Sequence, residues 1–543
     1  MVESSLLQPS GPTALDPGIR TLGEMLSARS AEHPDREFLV MGDYSWSYRE
    51  FDEWVTKVAG GLMALGLSKG DKLAIMLPNC PEFMAIWFAC ARIGVIEVPI
   101  NTAYRGPLLR HLIEDSDAKA AVVDVAFLDR FEHEQVGFGQ LQHIVLRSHA
   151  TPTPSWDGSI PTSRFTDLEN VALEVPDDAM RPTDTMAILY SSGTTGASKG
   201  IVLSHNYFWF GGTRSAENGR ITAGNRLYTC LPLFHANAQL CTVLPALAAG
   251  ATVIIDDRFS ASSFWTRLRE SGATSFAYIG GMIPILMKQP PSPDDRNHDV
   301  QRASGGAAPR DLHRAFEERF GLTIVEGYGQ TENCVALSNP IDAPRIGSVG
   351  KAICGYDLDV VDEDDEPVGP NRTGELVFRP QQPFIMMDGY YKRPEATLEA
   401  SRNLWFHTGD LMWKDEDGYF YFVDRKKDAL RRRGENISAH EVEMVVNSHP
   451  AVLESAAIAV PSEVGEDDVM VCVVLREGAE LDPLELIKHC EQLMSYFAVP
   501  RYVDFRSELP KTPTLRVEKY RLRQQGVTPT TWDLETTGYT LTR

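Results

Sequence analysis

The stretch that decides the fold is "MAILYSSGTTGASKGIVLSH", residues 186–205. Its first five residues are apolar and β-prone, so "MAILY" reads as a buried strand. The strand runs into a loop of Ser, Thr and Gly that ends on Lys199. Glycines let the backbone approach an anion closely, hydroxyls and amides supply donors, and the lysine adds charge. Such a loop suits phosphate oxygens. It is not a Walker A loop, because the G-x-x-x-x-G-K-[ST] spacing is absent. The bland alternative is a Ser/Gly turn between a strand and a helix.

Working outward, short Val/Ile/Leu-rich runs alternate with helical patterns. "DKLAIMLP" (71–78), "AAVVDV" (120–125), "HIVLR" (143–147) and "ATVIIDD" (251–257) read as strands. "SYREFDEWVTKVAGGLMALG" (47–66), opened by Ser47 as N-cap, and "PEFMAIWFACARIG" (81–94) read as helices. The alternation predicts an α/β fold with largely parallel sheets. Around residues 345–423 the texture shifts to turns and antiparallel-looking strands, as in "GELVFRP" and "GYFYFVD". After the charged stretch "DRKKDALRRRGENIS" (424–438) comes a smaller α+β pattern of a size that suits one small domain. The expected organisation is therefore a large N-terminal domain, residues 1–426, of stacked αβ subdomains plus a β-rich subdomain. A small α+β C-terminal domain, residues 427–543, follows it. The last twenty residues, polar and Thr-rich, read as a loosely docked tail.

Composition narrows the partners. Among 543 residues, 52 are basic and 75 acidic, a net charge of −23. Such a surface argues against non-specific nucleic-acid or anionic-membrane binding. The start has no basic segment followed by an apolar one, so no secretory signal is read there. The longest apolar run, residues 83–100, is broken by Arg92 and Glu97 and is short for a bilayer. It reads as a core helix running into a strand. The eight cysteines are scattered with no C-x-x-C pair, which suits reduced core residues in a cytoplasmic protein.

The phosphate-suited loop is followed in order by "GGAAP" (305–309), "EGYGQTE" (326–332), "HTGD" (407–410), "DRKKD" (424–428) and "RRRGENISAHEVE" (431–443). This ordered set resembles the acyl-adenylate-forming superfamily of acyl-CoA synthetases, aryl-CoA ligases, luciferases and peptide-synthetase adenylation domains. The resemblance runs from about residue 20 to about 523. Within it, the chain looks most similar to crotonobetaine/carnitine-CoA ligase-like synthetases.

The resemblance implies an enzyme that joins a carboxylic acid to the α-phosphate of ATP and then passes the acyl group from AMP to the thiol of coenzyme A. Ser191, Ser192, Gly193, Thr194, Thr195, Gly196 and Lys199 would cradle the β and γ phosphates. Thr331 would bind the α-phosphate or an acyl oxygen, and Glu332 would hold Mg²⁺, a hard cation suited to a carboxylate beside phosphates. Tyr328 would stack on adenine opposite a wall of Gly306, Ala307 and Ala308. Asp410 and Arg425 would take the ribose hydroxyls. The C-terminal domain would swing about a hinge at Lys427, bringing Gly434 and Glu435 to the thiol tunnel. His235, Gly280, Gly305 and Gly329 would line the acyl and CoA pocket, the paired glycines leaving room for a bulky or polycyclic acid. Alone, Tyr328 would read as a core aromatic, Asp410 as an Asx-turn residue and His235 as a satisfied core histidine.

Two adjacent positions depart from the pattern. The last family motif is P-K-T-x-x-G-K, whose final lysine bridges carboxylate and α-phosphate during adenylation. Here "PKTPTLR" (510–516) matches at Pro510, Lys511 and Thr512 but places Leu515 and Arg516 at the Gly-Lys positions. A guanidinium is planar and wide where an ammonium is a compact point charge. Loss of one transition-state donor costs roughly 10²–10³ in rate. The expectation is an acyl-CoA ligase impaired in adenylation and specialised for thioesterification of a preformed acyl-AMP from a partner ligase. Such divided labour faintly resembles ligases of diterpenoid antibiotic pathways. Rescue of a complete synthetase by Lys511 or Lys519, an acyl-AMP ligase feeding a carrier protein, a nucleotide or acyl sensor and a luciferase-like oxygenase are the other options. The sequence leaves the oligomeric state open, a dimer among the possibilities.

Overall fold

The computed structural model describes residues 16, 18–132, 138–148, 158–171, 173, 175, 180–191, 198–425, 429–432, 435–462, 466–510 and 517–542. Ser192, Gly193, Thr194, Thr195, Gly196, Lys427, Gly434, Lys511, Leu515 and Arg516 lie outside the described residues.

Two large sheets form the body of the chain. In the eight-stranded sheet, the strands Thr185–Ser191, Ile96–Pro99, Lys72–Met76, Ala118–Asp124, His143–Arg147 and Thr162–Arg164 run parallel in that order. The nine-stranded sheet has a parallel centre, Thr323–Gln330 through Glu37–Met41, and antiparallel strands at both edges. Strands such as Ile96–Pro99 and Thr252–Ile255 are buried at every position. Burial on both faces is why such strands are mainly apolar, with Glu97 a fully buried exception.

Helices cover these sheets where the local signals set them. Tyr48–Ala64 starts on a capping box between Ser47 and Glu50. Pro81–Ile93 opens on proline and stops at Gly94, whose φ of 71° suits glycine. Most of the latter helix is fully buried, so the 83–100 run is a core helix followed by the strand Ile96–Pro99. Among the described residues no helix is long and apolar enough to cross a membrane. All eight cysteines are free thiols.

Two expectations need correction. The strands Thr185–Ser191 and Lys199–Ser204 pair antiparallel, so the Ser/Thr/Gly run joins two strands, and the helix His205–Asn218 begins only after the second. The tail is also firmly docked. Trp532–Asp533 adds a fourth strand to the C-terminal sheet, Asp533 takes both Nε and Nη2 of Arg501 at 3.1 Å, and Leu534 is buried. Polar composition hid this, because ion pairs and backbone bonds do the anchoring.

A four-stranded antiparallel sheet holds Tyr356–Val361, Gly374–Pro380, Phe406–Lys414 and Phe420–Arg425. Beyond it, the hairpin Ala429–Arg432/Glu435–Ser438 leads directly into the helix Ala439–Asn447 and a second small sheet. The main apolar core draws on residues 22–406, and the cores after residue 429 are separate from it.

Candidate active site

A cleft of about 1300 Å³ opens where the ends of the nine-stranded sheet, the antiparallel sheet and the C-terminal hairpin meet. The strand Thr323–Gln330 lies parallel to Arg302–Gly306 and antiparallel to Cys334–Ser338, with a register shift between Tyr328 and Gly329. Such bulges re-aim side chains. The Tyr328 hydroxyl donates to Asp410 Oδ2 at 2.7 Å, and Gln330 Nε2 donates to the same oxygen at 3.0 Å. Asp410 stands on the strand Phe406–Lys414, and register puts Arg425 directly opposite it. Tyr328, Asp410 and Arg425, far apart in sequence, are thus brought together by two sheets.

Glu332 sits beyond the bulge. Its Oε1 accepts from the Tyr390 hydroxyl at 3.1 Å, and Lys199 Nζ lies 4.8 Å over the Tyr390 ring. Burial pushes the Glu332 carboxyl above its ordinary value, against the Tyr390 hydrogen bond and the Lys199 charge. A single carboxylate beside a polyphosphate is a common way to hold Mg²⁺, and the Glu332 carboxylate fits that need. No group of three or more His, Cys, Asp or Glu that could hold a metal occurs among the described residues, so phosphate oxygens and water would complete the shell. The Thr331 carbonyl is fixed by the buried Tyr207 hydroxyl at 2.8 Å.

The Gly306–Ala308 wall is held by a residue that the motif reading left without a role. Glu326 Oε1 accepts the Ala308 N–H at 3.1 Å, next to Ala307, whose φ of 63° is unusual for a residue with a Cβ. Burial pushes the Glu326 carboxyl up to about 7. Gln330 and Tyr390 were also missed. Neither belongs to a motif whose chemistry demands it, and only the sheet geometry shows their partners.

The glycines need a different account from the one expected. A Cβ on Gly280 would stand 2.3 Å from the Ala307 oxygen, one on Gly305 2.1 Å from the Tyr278 oxygen, and one on Gly329 1.8 Å from the Cys334 oxygen. All three line the cleft, yet they are glycine because backbone crowds them. Open space belongs instead to Gly281, where a Cβ would meet nothing nearer than Glu466 at 3.9 Å.

His235 and Glu435, both expected at the acyl and CoA pocket, are partners. His235 Nε2 lies 2.8 Å from Glu435 Oε2. Burial works against an imidazolium there, but the Glu435 carboxylate overcomes it and raises the His235 pKa. The hairpin is therefore seated against the cleft. Lys519 faces elsewhere: its Nζ is 2.6 Å from Glu443 Oε1, within the C-terminal part.

Comparison with known proteins identifies the family. Residues 26–391 match the family model of the AMP-binding enzyme, and residues 441–515 match that of the AMP-binding enzyme C-terminal domain. The crotonobetaine/carnitine–CoA ligase of Salmonella paratyphi C is 33% identical over 488 residues, covering 88% of this chain and 93% of the relative. The fold is similar to o-succinylbenzoate CoA synthetase (MenE) of Bacillus subtilis, seen as a double mutant bound with its product analogue OSB-NCoA. That match has TM-score 0.80 and 25% identity over 92% of this chain and 98% of the other. The same enzyme in complex with AMP matches with TM-score 0.66, at 25% identity over 94% and 99%. The chain belongs to the AMP-binding enzyme family and, within it, to the AMP-forming acyl-CoA ligases.

Proposed function

We propose that the protein forms acyl-CoA thioesters through an acyl-adenylate and is specialised for the second half-reaction, taking an acyl-AMP supplied by a partner ligase. The observation that carries this reading is the seating of the 429–438 hairpin, with Glu435 paired to His235 at the cleft. The better fit to the MenE complex with a CoA product analogue than to the AMP complex supports the thioester-forming part of this reading.

In this reading Tyr328 and the Gly306–Ala308 wall hold adenine, and Asp410 and Arg425 hold the ribose. Thr331 and Lys199 face the phosphate, and the Ser191–Gly196 segment precedes them in sequence. When bound with ATP, Mg²⁺ on Glu332 would offset phosphate charge. The chain divides near residue 426, with Lys427 as hinge and Gly434 beside Glu435 at the thiol tunnel. His235 and Glu435 flank the acyl carbon. There the C–S bond to CoA forms as the thiol proton passes to solvent, the C–O bond of the mixed anhydride breaks and AMP leaves.

Arg516 underlies the specialisation. A guanidinium does not fit a slot made for an ammonium between carboxylate and phosphate. Lys519 is engaged by Glu443, which weighs against its standing in.

The test is a paired assay on a panel of bulky carboxylic acids. One arm supplies acid, ATP, Mg²⁺ and CoA; the other supplies preformed acyl-adenylate and CoA. Thioester in the adenylate arm alone, with ATP consumption restored by Arg516→Lys, is the expected result. Equal thioester in both arms from the unaltered protein would overturn the specialisation and leave a complete synthetase.

A further inference from the structure

The described residues hold a second carboxylate that crosses from the C-terminal part to the body of the chain, away from His235. Glu441 Oε1 accepts the Ser198 N–H at 3.2 Å and the Ser198 hydroxyl as well. Ser198 is 2% exposed and immediately precedes Lys199. Its carbonyl oxygen lies 3.3 Å from His111 Nε2, so the residue is pinned from both sides. Tyr104, Leu108, Ile437, Val442, Met494 and Phe497 line a small apolar pocket beside Glu441. A hydrogen bond shielded in this way is stronger than one in water.

The local backbone makes the contact directional. Glu441 stands in the first turn of the helix Ala439–Asn447, and its N–H donates to the N-cap hydroxyl of Ser438. The hairpin strand Glu435–Ser438 runs into that helix without an intervening loop. Fixing Glu441 therefore fixes Glu435, six residues earlier. We propose that Glu441 is a positioning residue, a hydrogen-bonded latch on Ser198 that holds the C-terminal part, and with it Glu435, against the cleft.

Charge favours a latch that releases. Burial pushes the Glu441 carboxyl up to about 7, while the Ser198 donors pull it down. Tyr104 faces it from the body of the chain, with Glu435 nearby on its own side and His111 behind Ser198. None of these is a lysine or arginine, so among the described residues no cation is set to neutralise an ionised Glu441.

The test uses the full chain and two variants, Glu441→Ala and Glu441→Gln, both checked for unaltered thermal unfolding. The first readout is the NMR titration of His235, with its signal assigned by loss in His235→Gln. Glu435 and Arg431 are the charges acting on His235, so its titration reports whether Glu435 is seated. The second readout is calorimetric affinity for CoA in the presence of AMP; its relevance rests on the proposal that this cleft is the thiol site.

Glu441→Ala is expected to move the His235 titration back down and to weaken CoA about fivefold or more, with AMP affinity unchanged within about twofold. Glu441→Gln keeps an acceptor oxygen and should match the unaltered protein in both. An unmoved His235 in Glu441→Ala, or equal damage in Glu441→Gln, would overturn the latch. A shifted His235 with undiminished CoA affinity would keep the latch and overturn the reading of the cleft as the thiol site.

Discussion

Glu326 shows how much a single buried side chain carries. The residue is 5% exposed, and its carboxyl holds Ala308 and has its pKa pushed up to about 7 by burial. The unfolded carboxyl ionises near about 4.3. A raised folded pKa means that its contribution is fully favourable below the unfolded value and is lost as pH rises through about 7. Glu326→Gln should therefore raise the melting temperature relative to the unaltered protein at pH 8, with no gain at pH 4, read by calorimetry at both. The glycines argue from space alone. Gly329→Ala forces a Cβ onto the Cys334 oxygen and should cost about 2–3 kcal/mol in urea unfolding. Gly281→Ala meets no such contact, so stability should hold while the preferred acid changes. From sequence, Gly281 and Gly280 look alike, because what separates them is the Ala307 carbonyl that crowds Gly280 alone.

At the scale of elements, sequence was a good guide wherever local chemistry dictates the outcome. The helix Tyr48–Ala64 begins where Ser47 caps it, and the buried parallel strands read as mainly apolar runs. The ordered motifs also named Tyr328, Asp410 and Glu435, and the resemblance added His235; the two sheets and the hairpin bring all four to one cleft. The pairing of His235 with Glu435 was not legible, since it depends on how two separate cores sit together. Nor was the docked tail, whose anchor is the reach of Arg501 to Asp533 and of Tyr539 to Glu491 at 2.6 Å. Truncation after Gln525 should remove those bonds and the buried Leu534. The expected cost is about 2–4 kcal/mol to the C-terminal part, visible as an earlier proteolytic cleavage there.

For the whole molecule, the separate cores predict separate unfolding. Calorimetry should resolve two transitions, a larger one for the body and a smaller one for the part after residue 429. AMP at about a hundred times its dissociation constant adds about 2.7 kcal/mol to whatever binds it. The larger transition should move up and the smaller should stay, since Tyr328, Asp410 and the Ala307 wall all belong to the body. A single transition shifting as one unit would mean that the two parts unfold together. The crowding beneath the cleft has a consequence on another timescale. Because Gly280, Gly305 and Gly329 are locked by neighbouring carbonyls, mutation cannot remodel the floor without breaking the sheet. Descendants of this chain that acquire new acids would do so through wall positions such as Gly281, and the floor would be inherited unchanged.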